Sequence, residues 1–235
     1  MNHVVILPTL RERENLVRLV PAIFTHAPEA HVVVVDDHSR DGTRELIEHL
    51  KNDHPNLHFL ERTSNHGYGN AILAGLQWAD QQKFSHVVTM DADFSHDPVE
   101  LPAMLQKLND HDVVIGSRYV TGGSIKNWAW YRRLLSWWAN FYARAIIGHH
   151  LHDSTTGFVG YGPKAIRSLV QQPPHARGYA FLLECKNLLH CMGHTITEHP
   201  IVYTERREGQ SKMSTKNIWE AIWLPWRLRF GRLKK

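Results

Sequence analysis

Asp91-Ala92-Asp93 places two carboxylates one residue apart directly behind the apolar run His86–Met90. Side chains alternate along an extended chain, so at a strand end these two acids point to the same side. Paired hard oxygen donors suit a divalent cation such as Mg²⁺ or Mn²⁺. Such an ion bridges the oxygens of a diphosphate and neutralises a departing nucleotide. Asp36-Asp37 stands in the same relation to Val32–Val35 and opens the run Asp36-Asp37-His38-Ser39-Arg40-Asp41-Gly42-Thr43. Asp41 or Thr43 is placed to cap the next helix, which leaves Asp37 to accept from the ring N–H or ribose hydroxyls of a nucleotide. A solvated turn uses the same residue types, so neither cluster decides alone. No Gly-x-Gly-x-x-Gly follows the first apolar run and no Gly-Lys-Ser/Thr occurs, which disfavours dinucleotide and P-loop sites.

The elements that must position these acids alternate. Strand-length apolar runs lie at Val4–Leu7, Val32–Val35, Leu57–Leu60, His86–Met90 and Asp112–Ile115. Helix-length stretches separate them at Glu14–Thr25, Thr43–Asn52, Gly69–Gln82 and Val99–Asn109, with Pro98 at a helix start behind the caps Ser95 and Asp97. This alternation predicts an α/β fold with a mainly parallel, Rossmann-like sheet flanked by helices. Ligands of such sheets bind beyond the carboxyl ends of the strands, where both acidic pairs fall. After Gly116 the pattern changes. Trp128–Ile147 reads as an amphipathic helix, Phe181–Cys191 as another helix, and Thr195–Tyr203 as a strand before the polar stretch Glu205–Lys216.

Composition bounds the class. The chain has 235 residues, 43% hydrophobic and 21% charged, with a net charge of +4. These values suit one globular domain that fills a core and exclude disorder. No run approaches the ~20 apolar residues of a membrane span, and the N-terminus lacks the pattern of a leader peptide. Two cysteines, Cys185 and Cys191, make no disulfide framework, so a reducing, cytoplasmic setting is expected. His149-His150-Leu151-His152-Asp153 has the composition of a metal cluster without the spacing of a structural zinc site. Basic residues concentrate from Arg206 to Lys235, interleaved with Trp219, Trp223, Trp226 and Phe230. A second cluster sets Lys126, Arg132, Arg133 and Arg144 among Trp128, Trp130, Tyr131, Trp137 and Trp138. Aromatics at headgroup level with cations facing anionic lipid make a membrane surface the expected partner of both stretches, rather than nucleic acid.

Read together, Pro8-Thr9 with Glu12, Glu14-Asn15-Leu16, Asp36-Asp37-x-Ser39-x-Asp41-Gly42-Thr43 and Asp91-Ala92-Asp93-Phe94-Ser95-His96-x-Pro98 resemble family-2 glycosyltransferases. Gly116-Ser117-Arg118-Tyr119-x-x-Gly122-Gly123, Arg132-Arg133-Leu134-x-Ser136-x-x-Ala139-Asn140 and Asp153-x-Thr155-x-Gly157-Phe158 narrow the resemblance to polyprenyl-phosphate (dolichyl-phosphate) mannosyltransferases. Gly178-Tyr179-x-Phe181-x-x-Glu184 and Arg206-x-x-Gly209-x-Ser211-Lys212 extend it, so that it covers roughly residues 4–213. The resemblance implies a GT-A domain over 1–213, followed by a basic, Trp-rich tail over 214–235. It implies that Pro8, Glu12, Asp37 and Asp91 hold the nucleotide, with Arg206 and Lys212 on the donor diphosphate. It assigns Asp91, Asp93 and Ser95 to the metal, and Arg118, Arg132 and Ser136 to the acceptor phosphate. Departures are Leu10-Arg11, Asn65 and Val159, where the family commonly has Tyr-Asn, Lys and Arg.

The implied reaction moves a hexose, foremost mannose from GDP-mannose, to a polyprenyl or dolichyl phosphate, with UDP-glucose as the alternative donor. A phosphate monoester has a second pKa of about 6 and arrives as its own nucleophile. The protein then needs a cationic clamp rather than a general base, and single displacement inverts C1. The resemblance places the chain peripherally on the cytoplasmic membrane face and leaves room for a membrane-embedded partner subunit. A sugar-phosphate nucleotidylyltransferase lacks its glycine-rich, basic loop here. A basic binding module without catalysis leaves the acidic strand ends unexplained.

Overall fold

A computed structural model describes residues 2–176, 178, 180–205 and 215–231, the last stretch with side chains from 222 onward. The first half alternates as the apolar runs require: β1 (His3–Thr9), α1 (Arg13–His26), β2 (His31–Asp36), α2 (Thr43–Leu50), β3 (Leu57–Glu61), α3 (Tyr68–Gln81) and β4 (His86–Thr89). A 3-10 turn (Pro98–Glu100) then leads into α4 (Leu101–Lys107), β5 (Val113–Ser117) and β6 (Ser124–Lys126). The second half is α5 (Trp130–Ile147), β7 (Val159–Tyr161), α6 (Pro163–Gln171), α7 (Ala180–Cys191), β8 (Ile196–Pro200), β9 (Val202–Thr204) and α8 (Thr215–Phe230).

Seven strands form one sheet in the order β3-β2-β1-β4-β7-β5-β8, and β6 pairs with β9 in a small second sheet. All pairings in the large sheet are parallel except those of β7, which runs antiparallel between β4 and β5. The Val32–Val35 run is continuous because both faces of the sheet are covered. Val33 and Val35, with Val4 and Ile6, face Ile72 and Leu76 of α3, while Phe181 and Leu189 of α7 join the same cluster. Val32 and Val34, with Val5 and Leu7, face the other way into Leu16, Leu19 and Ile23 of α1 and Met104 of α4. Helix α3 approaches β1 most closely at Gly75, where an added Cβ would lie 2.7 Å from a methyl of Ile6.

Two expected elements are divided. Val99–Asn109 begins as a 3-10 turn capped by Asp97, whose carboxylate accepts from Val99 N–H at 3.0 Å; Pro98 and Pro102 supply no N–H to a longer helix. Thr195–Tyr203 splits between the two sheets, because Ile201 N–H turns to Ser117 O at 3.0 Å just after Pro200. Helix α8 packs against α5 and α7, burying Leu224 with Ala143, Ile147 and Leu183. The Tyr142 hydroxyl donates to Ile222 O at 2.9 Å and accepts from the Trp226 indole at 2.8 Å. Among the described residues no helix is long and apolar enough to cross a membrane.

Replacing Gly75 by Val forces a branched side chain into Ile6 inside a close-packed layer. It should lower unfolding free energy by more than ~2 kcal/mol in a denaturant titration. An unchanged midpoint and slope would contradict the packing described.

Candidate active site

The parallel strands β1, β2, β4 and β5 all end at one edge, and their following residues meet there: Pro8-Thr9, Asp36-Asp37, Asp91 and Arg118. Strand order reverses between β1 and β4, which opens a crevice at that edge. Because β7 runs the other way, its leading loop, residues 153–158, reaches the same edge between β4 and β5. Several loops there strain the backbone: Arg11, His38, Asn65 and Phe94, which follow β1, β2, β3 and β4, all have φ between +54° and +60°.

At the β1–β2 end of this edge, Asp36 is spent on structure. Its carboxylate accepts from Thr9 Oγ1 at 3.0 Å and from Ser39 N–H and Oγ at 2.6 and 2.7 Å. Asp37, also buried, accepts from Gly67 N–H at 2.7 Å and pairs with Arg62. Asp41 accepts from Thr43 N–H and Oγ1, ahead of Gly42, which takes φ +84° at the N-cap. Glu12 stands at the N-cap of α1 and accepts from Asn15 Nδ2 at 2.9 Å.

Asp91 and Asp93 leave β4 together. The Tyr68 hydroxyl donates to Asp91 Oδ1 at 2.6 Å, and the left-handed Phe94 turns the chain so that Ser95 N–H donates to Asp93 Oδ1 at 3.0 Å. Asp91 N–H donates to His96 Nδ1 at 3.1 Å. The His96 ring is stacked on Phe158, and burial lowers its pKa against the raising pull of Asp91 and Asp93. With Nδ1 accepting from Asp91 N–H, the ring props the backbone of the carboxylate pair. Gly157 lies so close that a Cβ there would strike the Tyr68 hydroxyl and come within 3.1 Å of Asp91 Oδ1.

Two carboxylates with the buried Ser95 hydroxyl beside them form a hard oxygen set that fits Mg²⁺ or Mn²⁺ and not a thiolate- or imidazole-seeking metal. Among the described residues no group of three or more His, Cys, Asp or Glu converges on a metal position. An ion held by this pair therefore takes further oxygens from a diphosphate or water, as Mg²⁺ commonly does.

Arg118, just past β5, has glycines at 116, 122 and 123 about it, a residue type that frees a loop backbone, yet its side chain is held fast. Only 7% of it is exposed. Its Nε and Nη2 fork onto Asp153 at 2.7 and 2.8 Å, and Nη2 also donates to Thr155 Oγ1 at 2.8 Å. Asp153 accepts Arg118 N–H as well, at 3.1 Å. The glycines serve close packing instead, since a Cβ at Gly123 would meet Ser117 O at 2.7 Å. The guanidinium lies 5.3 Å from the ring centre of Tyr119, 5.9 Å from Trp128 and 5.2 Å from Tyr203. Burial works against both charges. The contact with Arg118 nonetheless holds the Asp153 carboxyl below its usual range, and Asp153 raises Arg118. Arg132, from the first turn of α5, lies 4.7 Å from the same Trp128 ring and pairs with Glu205. Ser136, one turn on, accepts from the Tyr119 hydroxyl at 2.7 Å.

The structure thus gathers Pro8, Glu12, Asp37, Asp91, Asp93, Ser95, Arg118, Arg132 and Ser136 about one edge of the sheets. Arg206 and Lys212 lie outside the described residues. Tyr68, His96 and Asp153 carry no role in the reading of the sequence, although His96 and Asp153 sit inside motifs quoted there. Their signal was position within a motif; their function depends on contacts across the chain.

The fold is a mainly parallel α/β sheet whose carboxyl edge carries a carboxylate pair and, beside it, a buried arginine forked onto a carboxylate. The sequence model of glycosyl transferase family 2 matches residues 4–170. The chain is a glycosyltransferase and belongs to family 2. It is 40% identical to the polyprenol monophosphomannose synthase of Mycolicibacterium smegmatis over 98% of this chain and 88% of that protein. It is 36% identical to the undecaprenyl-phosphate mannosyltransferase of Micrococcus luteus over 94% of this chain and 91% of that one. Its fold resembles glucosyl-3-phosphoglycerate synthase of Mycobacterium tuberculosis, solved with Mn²⁺, UDP and product (TM-score 0.67, 16% identity, 98% of this chain and 80% of the other). It also resembles a Pyrobaculum calidifontis mannosyltransferase solved with GDP-Man and Mn²⁺ (TM-score 0.60, 19% identity, 97% and 72%).

Replacing Asp153 by Asn leaves the Arg118 charge buried without its partner. Such a loss should cost ~3–5 kcal/mol of stability near neutral pH. Because the Asp153 pKa is lowered in the folded state, its contribution is full above the unfolded value of about 3.9 and fades as pH falls through the lower folded value. Stability of the two proteins should therefore converge below about pH 4 in acid titrations. A constant difference down to pH 2 would contradict the pairing.

Proposed function

We propose that this enzyme transfers mannose from GDP-mannose to the phosphate of a polyprenyl or dolichyl phosphate, with Mg²⁺ or Mn²⁺, inverting the anomeric carbon. The supporting observation is one edge that carries both a carboxylate pair suited to a cation and an arginine forked in place by Asp153, 2.7 Å from Nε. The relatives named above share that acceptor class by name, and they are similar along nearly the whole chain.

Asp37 and Glu12 accept from the base and ribose, while Pro8 closes the edge beside them. Asp91, Asp93 and Ser95 hold the cation, which when bound neutralises charge on the departing diphosphate. Arg206 and Lys212 complete the grip on that diphosphate. Arg118, with its plane fixed, and Arg132 bring in the acceptor phosphate, and Ser136 is placed to donate to one of its oxygens. An ionised phosphate oxygen attacks C1 of the sugar from the face opposite the diphosphate. The C1–O bond to the nucleoside diphosphate breaks as the new C1–O bond forms, and no protein group need take a proton.

The acceptor's isoprenoid tail requires a lipid surface next to this edge. Helix α5 exposes Trp130 (76%) and Leu135 (71%) with Trp137 and Trp138, and α8 exposes Trp223 (64%) and Phe230 (71%) beside Arg227 and Arg229. The two helices pack together, so their apolar faces dock the enzyme peripherally, on the cytoplasmic membrane face, with each nearby cation adding ~1 kcal/mol on anionic lipid. The free thiols of Cys185 and Cys191 suit that reducing side.

With labelled GDP-mannose, a polyprenyl phosphate and Mg²⁺ or Mn²⁺, label should move into the organic phase. Asp91→Ala should lose at least ~100-fold in kcat, and Arg118→Ala should raise the acceptor KM far more than the donor KM. Normal turnover by folded Asp91→Ala would refute the metal assignment, and equal losses for both substrates would refute the role of Arg118. Replacing Trp223 and Phe230 together by Ala should reduce co-sedimentation with anionic liposomes at least ~10-fold. Undiminished binding would remove α8 from the docking face.

A further inference from the structure

Lys186, in the middle of α7, is 1% exposed, and nothing in the transfer reaction above uses it. Burying an ammonium is costly unless its charge and its protons are used. Its Nζ donates to Ser154 O at 3.1 Å and to Thr156 O at 2.7 Å, which are backbone carbonyls and not a carboxylate. Those carbonyls bracket Thr155, whose hydroxyl receives Arg118 Nη2, and they lie between Asp153, which forks Arg118, and Gly157, which abuts Asp91 and Tyr68. The Thr89 hydroxyl of β4 fixes the same loop from the other side, donating to Gly157 O at 2.8 Å. Lys186 is thus the buried underside of the surface on which Arg118 rests.

We infer that Lys186 is a positioning residue for the acceptor: its ammonium pins the 154–156 backbone beneath Arg118 and supplies the positive charge that lets the Arg118–Asp153 pair receive a phosphate. The inference rests on the assignment of Arg118 to the acceptor phosphate. The charged groups facing Lys186 are Asp153, Arg118 and Glu198. Glu198 accepts Asp153 N–H at 3.0 Å and pairs with His152. With Lys186 charged, two cations balance two carboxylates. When Lys186 gives up its proton, the cluster becomes net negative next to an arriving anion.

Burial lowers Lys186 to about 8 against the raising pull of Asp153. The shifted groups about Lys186 and Arg118 move away from that range. Burial pushes the Cys185 thiol up to about 11 and raises Tyr119 and Tyr203, while it lowers His149 to about 4 and His96 below its usual value. The charged form favours phosphate binding, so acceptor capture should be nearly full at pH 7 and decline through pH 8. A bound phosphate in turn holds the proton on Lys186, moving the decline in kcat to higher pH.

The experiment measures kcat and both KM values from pH 7 to 9.5, using GDP-mannose, Mg²⁺ and a short isoprenyl monophosphate in detergent. Wild type should show kcat/KM for the acceptor falling roughly tenfold with a midpoint near 8, with the donor KM changing less than about twofold. Lys186→Gln should start with the weakened acceptor KM at pH 7 and show no further decline. Lys186→Arg, whose charge does not titrate in this range, should restore most of the affinity and also lack the decline. Thermal unfolding checks that each variant is folded. An acceptor term that is flat in wild type overturns the inference without any variant, as does an unaltered decline in either folded variant. An enzyme that moves no label to the isprenyl phosphate, or an Arg118→Ala protein with an unchanged acceptor KM, removes the parent assignment instead.

Discussion

The Asp153 carboxylate is the point on which the site depends. It is fully buried, and it accepts three N–H groups of Arg118: the backbone amide, Nε and Nη2. A lone arginine at a strand end would sample many rotamers and would lose that freedom on each encounter with substrate. The fork removes that freedom in advance and fixes the guanidinium plane among Tyr119, Trp128 and Tyr203. Removing either partner strands a charge in the interior, so the pair is maintained by mutual need more than by net attraction.

The rest of the fold meets a problem of like charges. In the proposed reaction a sugar diphosphate and a lipid phosphate are both anions and must approach within bonding distance of one sugar carbon. The parallel strands bring acidic groups to their carboxyl edge, where a cation can be held, and the antiparallel β7 carries a separate loop between them to hold an arginine. Two opposite electrostatic tasks therefore sit side by side on one sheet edge. Helix α5, which carries Arg132, the other arginine proposed to meet the phosphate, turns Trp130 outward beside it, and α8, packed on the far half of α5, exposes Trp223 and Phe230. The proposed cation site, acceptor clamp and membrane face thus lie on adjacent elements.

Local pattern made much of this legible. The valine runs at 4–7 and 32–35 and the periodic stretches between runs correspond to β1, β2, α1, α2 and α3 within a residue or two at most ends. The acids at strand ends followed from the rule that parallel sheets bind ligands there. Strand β7 was not legible: Val159-Gly160-Tyr161 is three residues long, and its antiparallel insertion depends on pairings to β4 and β5 far away in sequence. Its preceding loop was therefore invisible as a partner of Arg118. By type Gly123 suits a flexible loop, whereas in the fold it permits backbone to pack on backbone. Lys186 sits beside Glu184 and Asn187, where sequence alone gives a lysine no reason to be buried. Hydrogen bonds across the chain decide β7 and Lys186, and backbone clearance decides Gly123.

A crystal of the enzyme grown with Mn²⁺, GDP and a short isoprenyl phosphate, with data collected at the manganese edge, tests the central claim most directly. The account predicts one anomalous peak ligated by both Asp91 and Asp93 and bridging the diphosphate, with the isoprenyl phosphate on Arg118 while Arg118 keeps its fork to Asp153. Manganese bound away from these carboxylates, or a phosphate seated without contact to Arg118, would contradict it.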